Sequence, residues 1–457
     1  MVSRPIVPSN ANDVNDNLPF EPARASLAGL QEGLQKLCRH GAQVPVEILH
    51  LGDSHTAGDI FSGHLRNLFQ REFGAGGRGM LPAGMPFQWY QPQQLKVSRA
   101  KTANWKHQNS FKRKHQGPFG VTGFRAIGNQ ANQRVVLSAR KRQPFEMFKL
   151  EVRTLAQGGG LNVKVGDAPV AQLSTRRGDN SSTASKQLRH WIEPLRDEDG
   201  KALPYVEHTF YYRDGADRVE VWPVGDGPVE LLSWSVRRGV PGVLYHSQGV
   251  VGATAEIIRR WDSALVDAEL KRMQPDLILL AYGTNEGFND GLRISRYERS
   301  VELALKQLQA GASKASIAIL APPDSARIPR YCGKAVRKQA SCKSLSASER
   351  RNYRKMLRNK DRTLCRWHAP PKLAAVRSAL QRIATRNDVF YWDWSAVMGG
   401  QCGTDEWTRQ RPKLAHGDRV HLTNRGYRRS ADDLYAKLRG TVRCDLDKRR
   451  LTKRKTS

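Results

Sequence analysis

The feature that most restricts this chain is an interrupted rhythm of strands and helices. Val46-Glu47-Ile48-Leu49-His50-Leu51 is a β-type run that stops abruptly at Gly52-Asp53-Ser54, and Asp59 to Phe73 then reads as a helix closed by Gly74. After Gly242 the same alternation returns. Ala253–Arg272 has helical periodicity, Asp276–Tyr282 reads as an apolar strand and Arg296–Ala310 as a helix. Strand Ala315–Leu320, helix Pro371–Thr385, strand Val389–Trp394 and helix Asn424–Arg439 follow. Such alternation implies a mainly parallel sheet covered on both faces, with reactive groups collecting at the carboxyl ends of the strands. From about Gln88 to Ser235 the pattern is different. Short runs such as Phe145–Thr154, Leu161–Val165 and Arg218–Val224 are separated by Gly, Asp, Asn and Pro, with no long helix, as in a β-sandwich inserted into another domain.

A chain of 457 residues is long enough for two or three domains. We therefore expect an N-terminal extension and helix over 1–35, the helical spacing of Leu27, Leu30, Leu34 and Leu37 running from about Pro22 to His40. The first part of the α/β domain covers 36–88, the β-rich insert 89–240 and the second part of the α/β domain 241–440, leaving a basic tail at 441–457. No run approaches the roughly 20 apolar residues of a membrane helix.

With 75 Lys and Arg against 43 Asp and Glu, the formal charge is +32. Such a surplus attracts polyanions: nucleic acid, acidic envelope polymers or anionic lipid. The basic residues are spread out, concentrating at Arg350–Arg366 and Lys448–Lys455, and no zinc-finger or aromatic RNA-binding signature accompanies them, so they read as solvated faces and no nucleic-acid partner is expected. Of six cysteines, five (Cys332, Cys342, Cys365, Cys402 and Cys444) lie in the last third, where one or two disulfides would suit an oxidising compartment. Buried thiols of a cytosolic protein are the alternative. None forms a Cys-x-x-Cys pair, which argues against zinc. Met1–Pro22 is polar and does not read as a secretory signal; a trimmed signal would reconcile that with disulfides.

Four short blocks could converge on one rim of the sheet. Gly52-Asp53-Ser54 places a hydroxyl on a sharp strand-to-helix turn, exposed as an acyl-transfer nucleophile and with its own N–H free to donate to an oxyanion; alone, it could equally be a helix cap. Gly249-Val250-Val251-Gly252 precedes a helix and could aim a backbone N–H at developing negative charge, or simply be a turn. Asn285, in Tyr282-Gly283-Thr284-Asn285-Glu286, could donate its amide to an oxyanion or make a strand-end turn. Asp418-Arg419-Val420-His421 spaces a carboxylate and an imidazole so that the first can orient the second.

In their order and spacing these four blocks resemble the SGNH, or GDSL-like, hydrolase superfamily. The extended forms are similar to bacterial cell-wall-associated members, including peptidoglycan O-acetylesterases, some of which carry a carbohydrate-binding-module-like β-domain after the first block. Those forms are Leu49 to Asp59, Gly-Gly-Arg-Gly-Met at 76–80, Trp392-Asp393-Trp394 with Met398-Gly399-Gly400, and Val420 to Thr423. The resemblance implies a flavodoxin-like three-layer α/β fold interrupted by the insert. It also implies Ser54 as nucleophile, His421 as general base and acid, and Asp418 as its orienter, with an oxyanion hole from the Ser54 N–H, Gly252 and Asn285. Gly252 fits the glycine role better than Gly249. Glu286 stands where the superfamily often has Asp, and Val251 where relatives often have a polar residue.

On this reading Asp53 holds its loop, and His55 either packs the turn or touches substrate. Trp392, Trp394 and Trp407 either line a sugar-binding rim or belong to the core. The expected activity is that of an exported, periplasmic or extracellular serine esterase removing acyl groups, O-acetyl above all, from an envelope glycan, with no metal or organic cofactor. Two alternatives stay open: an acyltransferase using the same triad, and a non-catalytic glycan- or polyanion-binding protein.

Overall fold

The strand Val46–Gly52 is buried along its whole length, as a strand must be when it has partners on both edges and helices over both faces. The computed structural model describes residues 24–39, 43–140 and 143–444. The expected extension before residue 24 and the basic tail from residue 445 lie outside the described residues. Six strands pair in parallel, in the spatial order Ala75–Pro82, Val243–Gly249, Val46–Gly52, Leu277–Ala281, Ser316–Ala321, Phe390–Asp393. Side chains alternate between the two faces. Leu49, Leu51, Ile278, Leu280, Ile317 and Ile319 face a core with Ala255–Arg260 and the helices Ser263–Met273, Ile294–Gly311 and Leu373–Arg386. Ile48, Leu277, Leu279, Ala318, Leu320 and Trp392 face the helices Ala28–Cys38, Phe61–Phe73 and Asn424–Arg439. This is the expected three-layer α/β arrangement.

The β-rich segment forms two packed sheets. Five antiparallel strands, Leu95–Arg99, Val135–Ala139, Arg218–Pro223, Gly160–Val165 and Ala171–Ser174, make the smaller one. The larger one contains Val229–Arg237, Phe145–Arg153, Ala202–Ala216 and Leu188–Arg196, and its strand Val229–Arg237 also pairs antiparallel with Ala75–Pro82. The hydrogen-bonded sheet thus runs without a break from the sandwich into the parallel strands. Leu95, Leu137, Phe148, Leu150, Leu161 and Trp234 fill the space between the two sheets.

Several expectations need correction. The helix read over Ala253–Arg272 is split into a 3₁₀ turn, Ala255–Arg260, and a helix, Ser263–Met273, because the Asp262 carboxylate caps the second piece by accepting the Leu265 N–H at 3.0 Å. Two bridges, Cys332–Cys365 and Cys342–Cys402, fall within the last third as expected, and a third, Cys38–Cys444, adds the early cysteine, so the alternative of buried thiols does not hold. The lone early cysteine lies at the end of the first helix, which packs in the same layer as the last one. Of the two readings of Trp392, Trp394 and Trp407, the core is the one that holds: each is at most 3% exposed, and Trp394 stacks on Phe61 with ring centroids 4.4 Å apart. Their indole N–H groups are used internally, Trp392 donating to Asp433 and Trp394 to Ser430. The helix Ala347–Arg358 is not among the expected elements, although Ser346 and Glu349 form a capping box at its start.

Asp59 ties the first block to the sheet edge. Its carboxylate accepts from both Arg66 guanidinium nitrogens and from Arg78, each at 3.1 Å, and from the Gln93 N–H at 2.7 Å, all in the buried interior. Burial alone would raise its pKa, but the two guanidinium groups hold it down at about 2. A group depressed in the folded state stabilises above its unfolded pKa and loses that contribution as pH falls through the folded one. Asp59→Ala, which strands two buried cations, should cost about 3–5 kcal/mol in denaturant unfolding. The wild-type advantage over the variant should shrink between roughly pH 4 and pH 2.

Candidate active site

Parallel pairing brings three turns to one level. Gly52 lies in register with Gly249 on one side and with Ala281 on the other, so the residues after each emerge together at the carboxyl edge of the sheet. The chain leaves Gly52 through Asp53, which caps the short helix Ser54–Ala57 by accepting the His55 N–H at 2.9 Å. Ser54 is the first residue of that helix, where a backbone N–H has no intrahelical acceptor. Gly249 must be glycine: an added Cβ would stand 2.1 Å from the Ala57 nitrogen.

Ser54 Oγ lies 3.1 Å from His421 Nε2, and His421 Nδ1 lies 2.8 Å from Asp418 Oδ2. The second Asp418 oxygen accepts the backbone N–H groups of Val420 and His421 at 3.0 and 3.1 Å. Burial would raise the Asp418 pKa, but these hydrogen bonds, with His421 foremost, bring it to about 2. The hydrogen bond to Asp418 is the main cause that holds the His421 pKa above its ordinary value, against partial desolvation. An ionised Asp418 places the ring proton on Nδ1 and leaves Nε2 as the acceptor for the Ser54 hydroxyl.

The other sequence candidates fall beside this chain of contacts. Gly252 sits at the corner of a turn closed by Ala253 N–H to Val250 O at 3.0 Å, with φ of +79°, the left-handed conformation a type II turn requires. The Val250 N–H in turn donates to Gly52 O at 3.0 Å. Asn285 lies in the short helix Thr284–Gly287 and donates Nδ2–H to Ala253 O at 2.8 Å, which fixes its amide next to the Gly252 turn and leaves its second N–H available. Glu286 is buried and accepts the Ala255 N–H at 2.8 Å, locking the two loops together, and burial pushes its pKa up to about 7. The four blocks are therefore brought together.

Asp53 and His55 support the turn from beneath. Burial pushes Asp53 up to about 6. His55 is 2% exposed, its Nδ1 lies 2.9 Å from the Tyr427 hydroxyl and its ring centroid 5.4 Å from that of His421. Burial, helped by the positive His421, lowers its pKa to about 3, so it stays neutral beneath a ring that titrates. Of the two expectations for His55, packing of the turn fits this placement.

Sequence reasoning missed the brace of the Asp418–His421 loop. Arg419, at φ of +54°, is buried, donates to Asp405 Oδ1 at 2.6 Å and lies 3.9 Å from the centroid of the Trp367 ring. Asp405 also accepts the Cys342 N–H at 3.1 Å, and the Cys342–Cys402 bridge joins the same segments. The only local signal was the placement of Arg419 within the Asp-x-x-His block.

Among the described residues no group of three or more His, Cys, Asp and Glu is arranged to hold a metal ion. No described helix is long and apolar enough to cross a membrane.

NMR titration of the histidine rings tests this electrostatic picture. His421 should titrate above its ordinary value of 6.5 and His55 should remain neutral down to about pH 4. Asp418→Asn should lower the His421 midpoint, since it removes the charge that stabilises the imidazolium.

Residues 233–434 match the family model described as GDSL-like Lipase/Acylhydrolase. A solved structure of a peptidoglycan O-acetylesterase superposes with a TM-score of 0.65 at 22% identity, covering 91% of this chain and 96% of the other. A family two carbohydrate esterase from Cellvibrio japonicus has 14% identity over 76% of this chain and 98% of its own, at a TM-score of 0.24. One from Clostridium thermocellum, in complex with cellohexaose, has 9% identity over 73% and 98%, at 0.28. At such scores the last two carry no argument. No curated protein matches the chain. The carboxyl-terminal half thus carries the match to a GDSL-like lipase/acylhydrolase domain, and over most of its length the chain shares the fold of the peptidoglycan O-acetylesterase.

Proposed function

We propose that the chain removes O-acyl groups, chiefly O-acetyl, from a cell-envelope polysaccharide of the peptidoglycan kind, through an acyl-enzyme on Ser54. The observation that carries this reading is the contact chain from Ser54 Oγ through His421 to Asp418, at 3.1 and 2.8 Å. His421 takes the Ser54 proton as Oγ attacks the ester carbonyl, and Asp418 stabilises the imidazolium so formed. The resulting oxyanion sits among the N–H groups of Ser54 and Gly252 and the Asn285 amide, donors held in place before any charge develops. His421 then returns the proton to the departing sugar hydroxyl. Water, deprotonated by the same ring, releases the carboxylic acid.

The choice of glycan rests on the peptidoglycan O-acetylesterase whose fold this chain shares over most of its length. Three disulfides favour an oxidising compartment, the periplasm or the extracellular space. We propose further that residues 36–88 and 241–440 act as the hydrolase unit, with 89–240 as an insert.

The test is p-nitrophenyl acetate hydrolysis beside acetate release from O-acetylated peptidoglycan. Ser54→Ala should lower both by about 10⁴-fold, and Asp418→Asn should lower kcat by a similar factor. Asn285→Ala should lower kcat by about 10²- to 10³-fold with little change in KM. Since the base must be neutral, kcat/KM should rise with pH through a midpoint above 6.5, the raised His421 value. Undiminished turnover by Ser54→Ala would remove the hydroxyl from the mechanism.

A further inference from the structure

A loop of the β-rich segment borders the candidate site. After the strand Lys106–Asn109 the chain turns at Ser110 and passes Phe111-Lys112-Arg113-Lys114-His115. Ser110 is wholly buried, donates its N–H to Gly123 O at 2.9 Å, and its hydroxyl accepts the Trp261 indole N–H at 3.2 Å. Arg260 donates to the carbonyls of both Ser110 and His115. Within the loop, Asn109 N–H donates to His115 Nδ1, Lys112 N–H to Asn109 Oδ1 and His115 N–H to Lys112 O, each at 2.9 Å. The loop is therefore fastened to the segment that follows the Gly252 turn.

This fastening sets Phe111 against that turn: a Cβ on Gly252 would lie 3.4 Å from two atoms of the Phe111 ring. The ring is nonetheless 42% exposed, and Val251 beside it 53%, so an apolar surface borders the candidate oxyanion glycine instead of joining a core. The next three side chains, Lys112, Arg113 and Lys114, are exposed, and none pairs with a carboxylate among the described residues. Arg259, also exposed, adds a fourth positive charge on the segment after the turn.

We infer that this loop is the polymer-binding wall of the site, with Phe111 stacking on a pyranose ring next to the ester and Lys112, Arg113 and Lys114 engaging carboxylates of an anionic glycan. The inference rests on the proposed esterase function and deepens it by assigning Phe111 and the cations at 112–114 as the residues that select an acetylated, carboxylate-bearing glycan. An aromatic face matches the apolar face of a sugar ring, and solvated cations supply longer-range attraction that salt screens. A neutral acetylated glycan would use the ring and gain nothing from the charges.

The experiment compares full-length wild type, Phe111→Ala, Phe111→Trp and the triple variant Lys112→Ala/Arg113→Ala/Lys114→Ala. Substrates are O-acetylated peptidoglycan fragments, acetylated xylan as the uncharged glycan, and p-nitrophenyl acetate. Phe111→Ala should lower kcat/KM on both glycans, through KM, about tenfold more than on p-nitrophenyl acetate, and Phe111→Trp should restore it. The triple variant should raise KM on peptidoglycan alone, about five- to tenfold at low salt, and high salt should bring wild type to the same value.

Parallel changes on all three substrates would mark the loop as merely structural and overturn the inference, as would no change on the glycans. If wild type cleaves p-nitrophenyl acetate yet releases no acetate from either glycan, the glycan esterase reading itself fails, which is a different result from variants that match an active wild type. Displacement of peptidoglycan fragments from Ser54→Ala by equimolar duplex DNA would assign the cations to nucleic acid and overturn the inference.

Discussion

The nucleophile and oxyanion-hole side of the candidate site depends on the two-sided pairing of the strand Val46–Gly52. It alone is hydrogen-bonded to both Val243–Gly249 and Leu277–Ala281, and the common register at Gly52 makes three turns, far apart in the chain, end at one height. A strand slipped by one residue would turn its core-facing side chains to the wrong layer, so the packing of Ile48 against one layer and of Leu49 and Leu51 against the other enforces that height. The geometry of Ser54, Gly252 and Asn285 is thus inherited from core packing. The loops themselves add only short-range locks, such as Asn285 to Ala253 and Glu286 to Ala255.

The imidazole side of the site is held by different means. The Asp418–His421 loop precedes the last helix, and its position comes from a buried guanidinium. Arg419 is gripped by Asp405 and covered by Trp367, while Ala326 N–H donates to the Arg419 carbonyl at 2.9 Å. The excursion between Ala321 and Leu373, with its disulfides, thereby acts as a clamp on a loop that no strand supports. A charged pair with good geometry suits this task, because an unpartnered buried charge is costly and only one arrangement of the loop satisfies it.

The β-rich segment is continuous with the parallel sheet. Its larger sheet continues into the parallel strands through Val229–Arg237 and Ala75–Pro82, and a polar cluster in which Glu47 accepts from Arg237 and contacts the His246 ring crosses that junction. With the Ser110–His115 loop fastened to the segment after the Gly252 turn, the β-rich segment stands beside the candidate site instead of hanging on a linker. Its placement also accounts for Gly-Gly-Arg-Gly-Met at 76–80: Arg78 joins Asp59 of the first block, and the Met80 N–H donates to His246.

The sequence by itself determined the alternation of strands and helices, the glycine-bounded turns and the residue types offered at each turn. These are local properties: apolar period, helix caps and the restricted backbone of tight turns act within a few residues. The last helix, Asn424–Arg439, was legible to the residue, because Thr423 caps it and Gly440 ends it. Only the tertiary structure decided that Trp392 and Trp394 are core, that Cys38 finds Cys444, that Arg419 braces the His421 loop and that Phe111 borders Gly252. Each of those outcomes depends on which distant side chain arrives at the same point in space, and nothing in a local window of sequence encodes that meeting.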